Sequence, residues 1–69
     1  MEEISKFIKK KRKQFKLSQP ELAERAGVGL RFIRELEAGK VTLKLDKVDS
    51  VLRLFGHTLG PVPIKRDDE

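Results

Sequence analysis

The sequence predicts an all-α fold, a bundle of four short helices with a short extended arm or strand at its C-terminal side. Three observations carry this prediction. Apolar residues recur at intervals of three, four and seven, the period of a helix with one buried stripe. Capping residues and glycines divide the chain into short segments, with Gly27, Gly39 and Gly56 each standing just past a periodic stretch. The 69 residues include no cysteine and one histidine, which leaves neither a disulfide framework nor a Cys/His zinc site to hold the fold. A chain this short buries only about 60% of the surface its unfolded form exposes. Helix packing, supplemented by oligomerisation, is therefore the expected source of stability.

Helix one is expected from Glu2 to about Phe15, with Ile4, Phe7, Ile8 and Phe15 on one stripe and lysines over the rest. Glu2 and Glu3 in its first turn and Lys16 at its end follow the order the helix dipole favours. Helix two opens at "LSQPELAERAG". Ser18 and Glu21 have capping-box spacing, Pro20 sits where its missing N–H is harmless, and Gly27 suits a left-handed cap. Leu22, Ala23 and Ala26 form its inward side, and the two alanines let another helix cross closely.

Helix three should run from about Gly29 or Leu30 to Glu37 and end before Gly39, after a turn around Val28. Two short helices joined by a glycine-containing turn make a helix-turn-helix. At 100° per residue, Phe32, Ile33 and Leu36 gather inward, while Leu30, Arg31, Arg34, Glu35 and Ala38 share the outward side. Helix four is expected from Lys44 or Leu45 to Phe55, with Leu45, Val48, Val51, Leu52 and Phe55 in register before Gly56. In "HTLGPVPI", Pro61 and Pro63 interrupt apolar residues, as in an edge strand or extended arm. "KRDDE" reads as a frayed acidic end. The expected division is residues 1–60 as the helix-turn-helix domain and 61–69 as the arm and tail.

Sixteen Lys and Arg against eleven Asp and Glu give a formal charge of +5, which makes a polyanionic partner worth considering. Much of the excess lies in "KFIKKKRKQFK", seven basic residues between Lys6 and Lys16. On composition alone this run is equally a solvated helix face. No segment has the apolar length of a signal core or a membrane span, so the expectation is a cytoplasmic protein with no membrane partner. The chain has no Gly-rich phosphate loop, no metal-ligand spacing and no nucleophile with a base, so neither enzymatic activity nor a cofactor is expected. His57, alone after helix four, reads as a surface or C-capping group.

The series Arg12, Leu17, Ser18, Gln19, Leu22, Ala23, Ala26, Gly27, Val28, Ile33, Glu37 and Gly39 resembles the helix-turn-helix of the lambda-repressor/Cro class, the XRE-type regulators. The likeness extends from Ile4 to about Gly56. The wording "RFIRELEAGK" and the tail after helix four look most like the HipB-type antitoxin branch. The resemblance implies a bacterial regulator on the nucleoid, binding double-stranded DNA. It implies that Gln19 bonds the phosphate backbone and braces the recognition helix, and that Lys40 and Thr42 touch the backbone again. It also implies a structural pair of Arg12 with Glu37. The HipB branch further implies autoregulation, a kinase-like toxin as partner, and an arm that pairs with its twin in a dimer. Gly29, Leu30 and Arg34 depart from the usual pattern, where a Ser or Thr cap and small polar residues are commoner.

The residues support the class independently, because the major groove of DNA admits a single helix. Arg31 and Arg34 are placed to meet guanine O6 and N7, a bidentate contact worth ~1–3 kcal/mol of discrimination, and Leu30 to meet a thymine methyl. Two blander readings stand beside these: Arg31 as a surface ion pair with Glu35, and Leu30 as a core-edge residue. A palindromic operator needs two recognition helices about 34–36 Å apart, so a homodimeric repressor is the expected form. The competing class is a helical protein-interaction module that does not bind DNA. A third, an amphipathic membrane helix, conflicts with the need for the helix-one stripe in the core.

Overall fold

The computed structural model describes residues 2–40 and 42–64. Over these residues the fold is all-α, in the order α1 (Glu2–Gln14), α2 (Gln19–Ala26), α3 (Leu30–Glu37) and α4 (Leu45–Leu54). The expected frayed end, residues 65–69, lies outside the described residues. No strand occurs among those described, and 57–64 has no regular secondary structure. Of the two forms expected for the arm, the strand is not formed among the described residues.

The caps lie where the side chains dictate. At α2, Ser18 Oγ accepts from the Glu21 amide at 3.2 Å, while the Glu21 carboxylate accepts from the Ser18 amide at 2.8 Å. Two amides left without helical partners are satisfied reciprocally. At the other end Gly27 takes φ 71°, which lets its amide close back on the helix. Only the short turn from Gly27 to Gly29 separates α2 from α3. Helix one ends differently: Lys16 itself adopts φ 57°, and Leu17 N–H returns to Arg12 O at 3.0 Å.

The helices meet in one apolar core. Ile8 of α1, Leu22 of α2, Ile33 and Leu36 of α3, and Val48 and Val51 of α4 are completely buried. Ala23, Leu17, Leu52 and Phe55 join them. α2 packs on both α3 and α4, and α1 packs on α3. Two stripe residues depart from the sequence expectation. Phe15 follows the end of α1 and is 56% exposed, lying edge-on to Phe55 with ring centroids 5.4 Å apart. Leu45, first residue of α4, is 63% exposed because no neighbouring element covers that end. Phe32 is half-buried, with Lys47 Nζ 6.0 Å from its ring centre.

Beyond α4, Asp49 anchors the chain. Its Oδ1 accepts from Thr58 Oγ1 at 2.6 Å and from the Leu59 amide at 2.8 Å, and its Oδ2 accepts from Arg53 Nε at 2.5 Å. The bonds from Thr58 and Arg53, then the Leu59 amide, lower its pKa from 3.8 to about 2. A carboxyl whose folded pKa is depressed contributes stability above its unfolded pKa and loses that contribution as pH falls through the folded value. The segment 57–60 is therefore expected to loosen between about pH 4 and pH 2, read as a falling protection factor at the Leu59 amide relative to the intrinsic exchange rate at each pH. In Asp49→Asn exchange there should be fast already at pH 7. Identical protection in both proteins would disprove the anchor.

Candidate nucleic-acid interface

Helix three presents its outward side to solvent because its inward side is consumed by the core. Ile33 and Leu36 point to α2 and α1, leaving Arg31 and Arg34 exposed. Arg31 is 93% exposed, with Nε 3.4 Å from Glu35 Oε1. Among the described residues no carboxylate lies within ion-pair distance of Arg34. Leu30 is half-buried and packs against the core, as a core-edge residue does, and keeps a partly exposed side. With Gly29 as N-cap, α3 has no side-chain capping bond to its first turn, where backbone N–H groups lack helical partners.

A polar bracket fixes the far end of this helix. Arg12 Nε donates to Glu37 Oε2 at 2.7 Å and Arg12 Nη2 to Oε1 at 3.0 Å, while Nη1 donates to Leu17 O at 2.9 Å. Gln19 Nε2 adds a bond to Glu37 Oε1 at 3.2 Å. The side chains of Arg12 and Glu37 are only 13% and 4% exposed, so a forked pair is matched in a place with little water. The neighbouring Glu37 carboxylate raises the Arg12 pKa above its ordinary value. α1, the start of α2 and the end of α3 are thereby locked through one carboxylate. A second tie runs from Ser5 Oγ, buried in α1, to Leu36 O at 2.5 Å.

Lys40 and Thr42, beyond α3, are both exposed. Lys40 Nζ bonds the Glu35 carboxylate, which Arg31 also approaches. Lys40, first, and Arg31 hold the Glu35 pKa below its ordinary value. Thus Arg31, Lys40 and Glu35 form one charged group, with Arg34 on the same side of α3, while Gln19 is half-buried and turned to Glu37. The Ser5 tie joins residues 31 apart in sequence and left no periodic or capping signal by which to find it. The Lys40–Glu35 contact falls five residues apart and past the helix end, outside the i,i+4 rule. His57 caps as expected, its Nδ1–H donating to Phe55 O at 2.8 Å while the ring meets Phe7 edge-on at 4.6 Å.

A helix with two exposed arginines on its solvent side, presented by a short helix and a glycine turn, is the arrangement by which a protein enters a DNA groove. Residues 8–60 match the helix-turn-helix family along their whole length. The chain belongs to the helix-turn-helix family. As a member it is 50% identical over 57 residues, 83% of this chain and 75% of the other, to the uncharacterized HTH-type transcriptional regulator y4mF of Sinorhizobium fredii. No solved structure matches this helix-turn-helix chain significantly. The family is non-enzymatic, in line with the absence of any catalytic constellation in the sequence. Among the described residues no helix is long and apolar enough to cross a membrane.

Proposed function

We propose that this helix-turn-helix protein is a cytoplasmic transcriptional regulator that binds double-stranded DNA as a homodimeric repressor. Residues 1–60 form the DNA-binding domain and 61–69 the arm and tail. The observation that carries the reading is the outer face of α3: two exposed arginines one turn apart, on a helix locked in place by the Arg12–Glu37–Gln19 bracket. In the major groove Arg31 and Arg34 read guanine and the open side of Leu30 meets a thymine methyl. Gln19, Lys40 and Thr42 contact phosphates on either side, setting register without reading sequence.

The dimer is supported by apolar surface that one copy leaves uncovered. Val62, 80% exposed, lines an open groove with Ile4, Phe7, Leu52 and Leu59, and Ile64 of the same arm is 72% exposed. The resemblance to HipB-type antitoxins extends the reading to an autoregulating antitoxin with a kinase-like toxin as partner. A toxin reading frame beside the gene and a co-purifying complex test that extension.

The central test is selection of random duplexes at near-physiological salt, with the bound pool sequenced. An enriched inverted repeat with half-sites about 10 base pairs apart is expected. Arg34→Ala is expected to lower discrimination at one base pair by about 5- to 150-fold, equivalent to ~1–3 kcal/mol, with the circular dichroism unchanged. Bound DNA without an enriched sequence would reduce the function to charge-driven association. No bound DNA would put a helical protein-interaction module in its place.

A further inference from the structure

Glu35 is an acid on a face otherwise equipped to attract an anion. It sits one turn after Arg31 and offers its two carboxylate oxygens to different cations: Oε1 to Arg31 Nε at 3.4 Å, and Oε2 to Lys40 Nζ. Arg31 comes from the first turn of α3 and Lys40 from the chain beyond its end. The Glu35 side chain is 26% exposed, against 93% for Arg31 and 48% for Lys40, so the acid lies beneath the two cations that would reach DNA first. Arg34, on the same face, carries no such restraint among the described residues.

The consequence follows from competition between anions. On a duplex of arbitrary sequence, Arg31 and Lys40 gain a phosphate only by giving up part of their contact with Glu35, whose own charge also opposes the phosphate. On a matching sequence, the two acceptors of a guanine offer Arg31 a forked contact that replaces the lost one. We propose that Glu35 is a specificity-determining positioning residue, which by engaging Arg31 and Lys40 together suppresses binding to arbitrary DNA more than binding to the operator. Specificity here comes from a repulsive element beside the attractive ones. The inference rests on the DNA-binding reading above.

The experiment compares wild type with Glu35→Gln on two duplexes, the sequence enriched by selection and a scrambled version, over a series of salt concentrations. Glutamine keeps the size and hydrogen-bonding capacity while removing the charge. Affinity for the scrambled duplex should rise by about tenfold and for the enriched one by no more than about threefold, so the discrimination ratio falls. The slope of log K against log salt on scrambled DNA should steepen by about 1, one added phosphate contact. In a Lys40→Ala background, Glu35→Gln should have a smaller effect, because the acid then restrains one cation fewer. Equal gains on both duplexes, no change in the salt slope, or lost discrimination at a single cytosine, as for an acid that reads a base directly, would each overturn the proposal. A wild-type protein that enriches no sequence overturns the regulator reading itself, before any substitution is made.

Discussion

Glu37→Ala is expected to lower the melting temperature by on the order of 15 °C, given a loss of about 3 kcal/mol and about 4–8 °C per kcal/mol for a domain of this size. The carboxylate is 4% exposed and accepts from Arg12 twice and from Gln19 once. Its removal strands a guanidinium that is 13% exposed, with only Leu17 O left to receive it. Stranding one member of a little-exposed pair is far more damaging than replacing both by apolar groups. A domain this small has a total stability on the order of 5 kcal/mol, so the variant should be partly unfolded at physiological temperature. Glu37→Gln should fall between the two, since its amide oxygen can accept at most the two bonds made to Oε1, while its NH2 would face the Arg12 Nε donor. Thermal melts followed by circular dichroism decide the matter; a Glu37→Ala melt within a few degrees of wild type would make the bracket a surface ornament.

Leu22→Ala is expected to cost about 2–5 kcal/mol, the range for deleting a fully buried leucine. Leu22 has no exposed surface and lies on α2, the helix that packs against both α3 and α4. The cavity would therefore loosen two interfaces at once. Urea unfolding should show a lower midpoint with an unchanged slope, the sign of lost stability without a change in the surface exposed. DNA affinity should weaken only by the fraction of chains unfolded, so a saturating excess of operator should restore much of the melting temperature. A midpoint shift below about 1 kcal/mol would mean that the neighbours collapse into the space.

These two substitutions differ in how readable they were. Leu22 was assigned inward from spacing alone, as were Ile8, Ile33, Leu36, Val48 and Val51, and all six are buried. Periodicity works for such residues because the hydrophobic effect is non-directional: a stripe need only find other stripes. It fails at the ends of elements. Phe15 and Leu45 carry the right period but stand where the helix stops or where no partner covers it. The Arg12–Glu37 pair was expected from resemblance and not from spacing, since 25 residues separate its members.

The sequence by itself determined the four helices, the capping box at Ser18, the left-handed turn at Gly27 and the side of α3 that faces outward. The caps and the turn depend on interactions within a few residues, where propensity and hydrogen bonding act without reference to the rest of the chain, and the outward side of α3 follows from its apolar period, which requires a core but not a particular partner. Only the tertiary structure decided that Gln19 turns its amide toward Glu37, that Ser5 ties α1 to α3, and that Glu35 serves Arg31 and Lys40 together. Those contacts join atoms through space with directional geometry, and one-dimensional spacing carries no information about which distant donor will meet which acceptor.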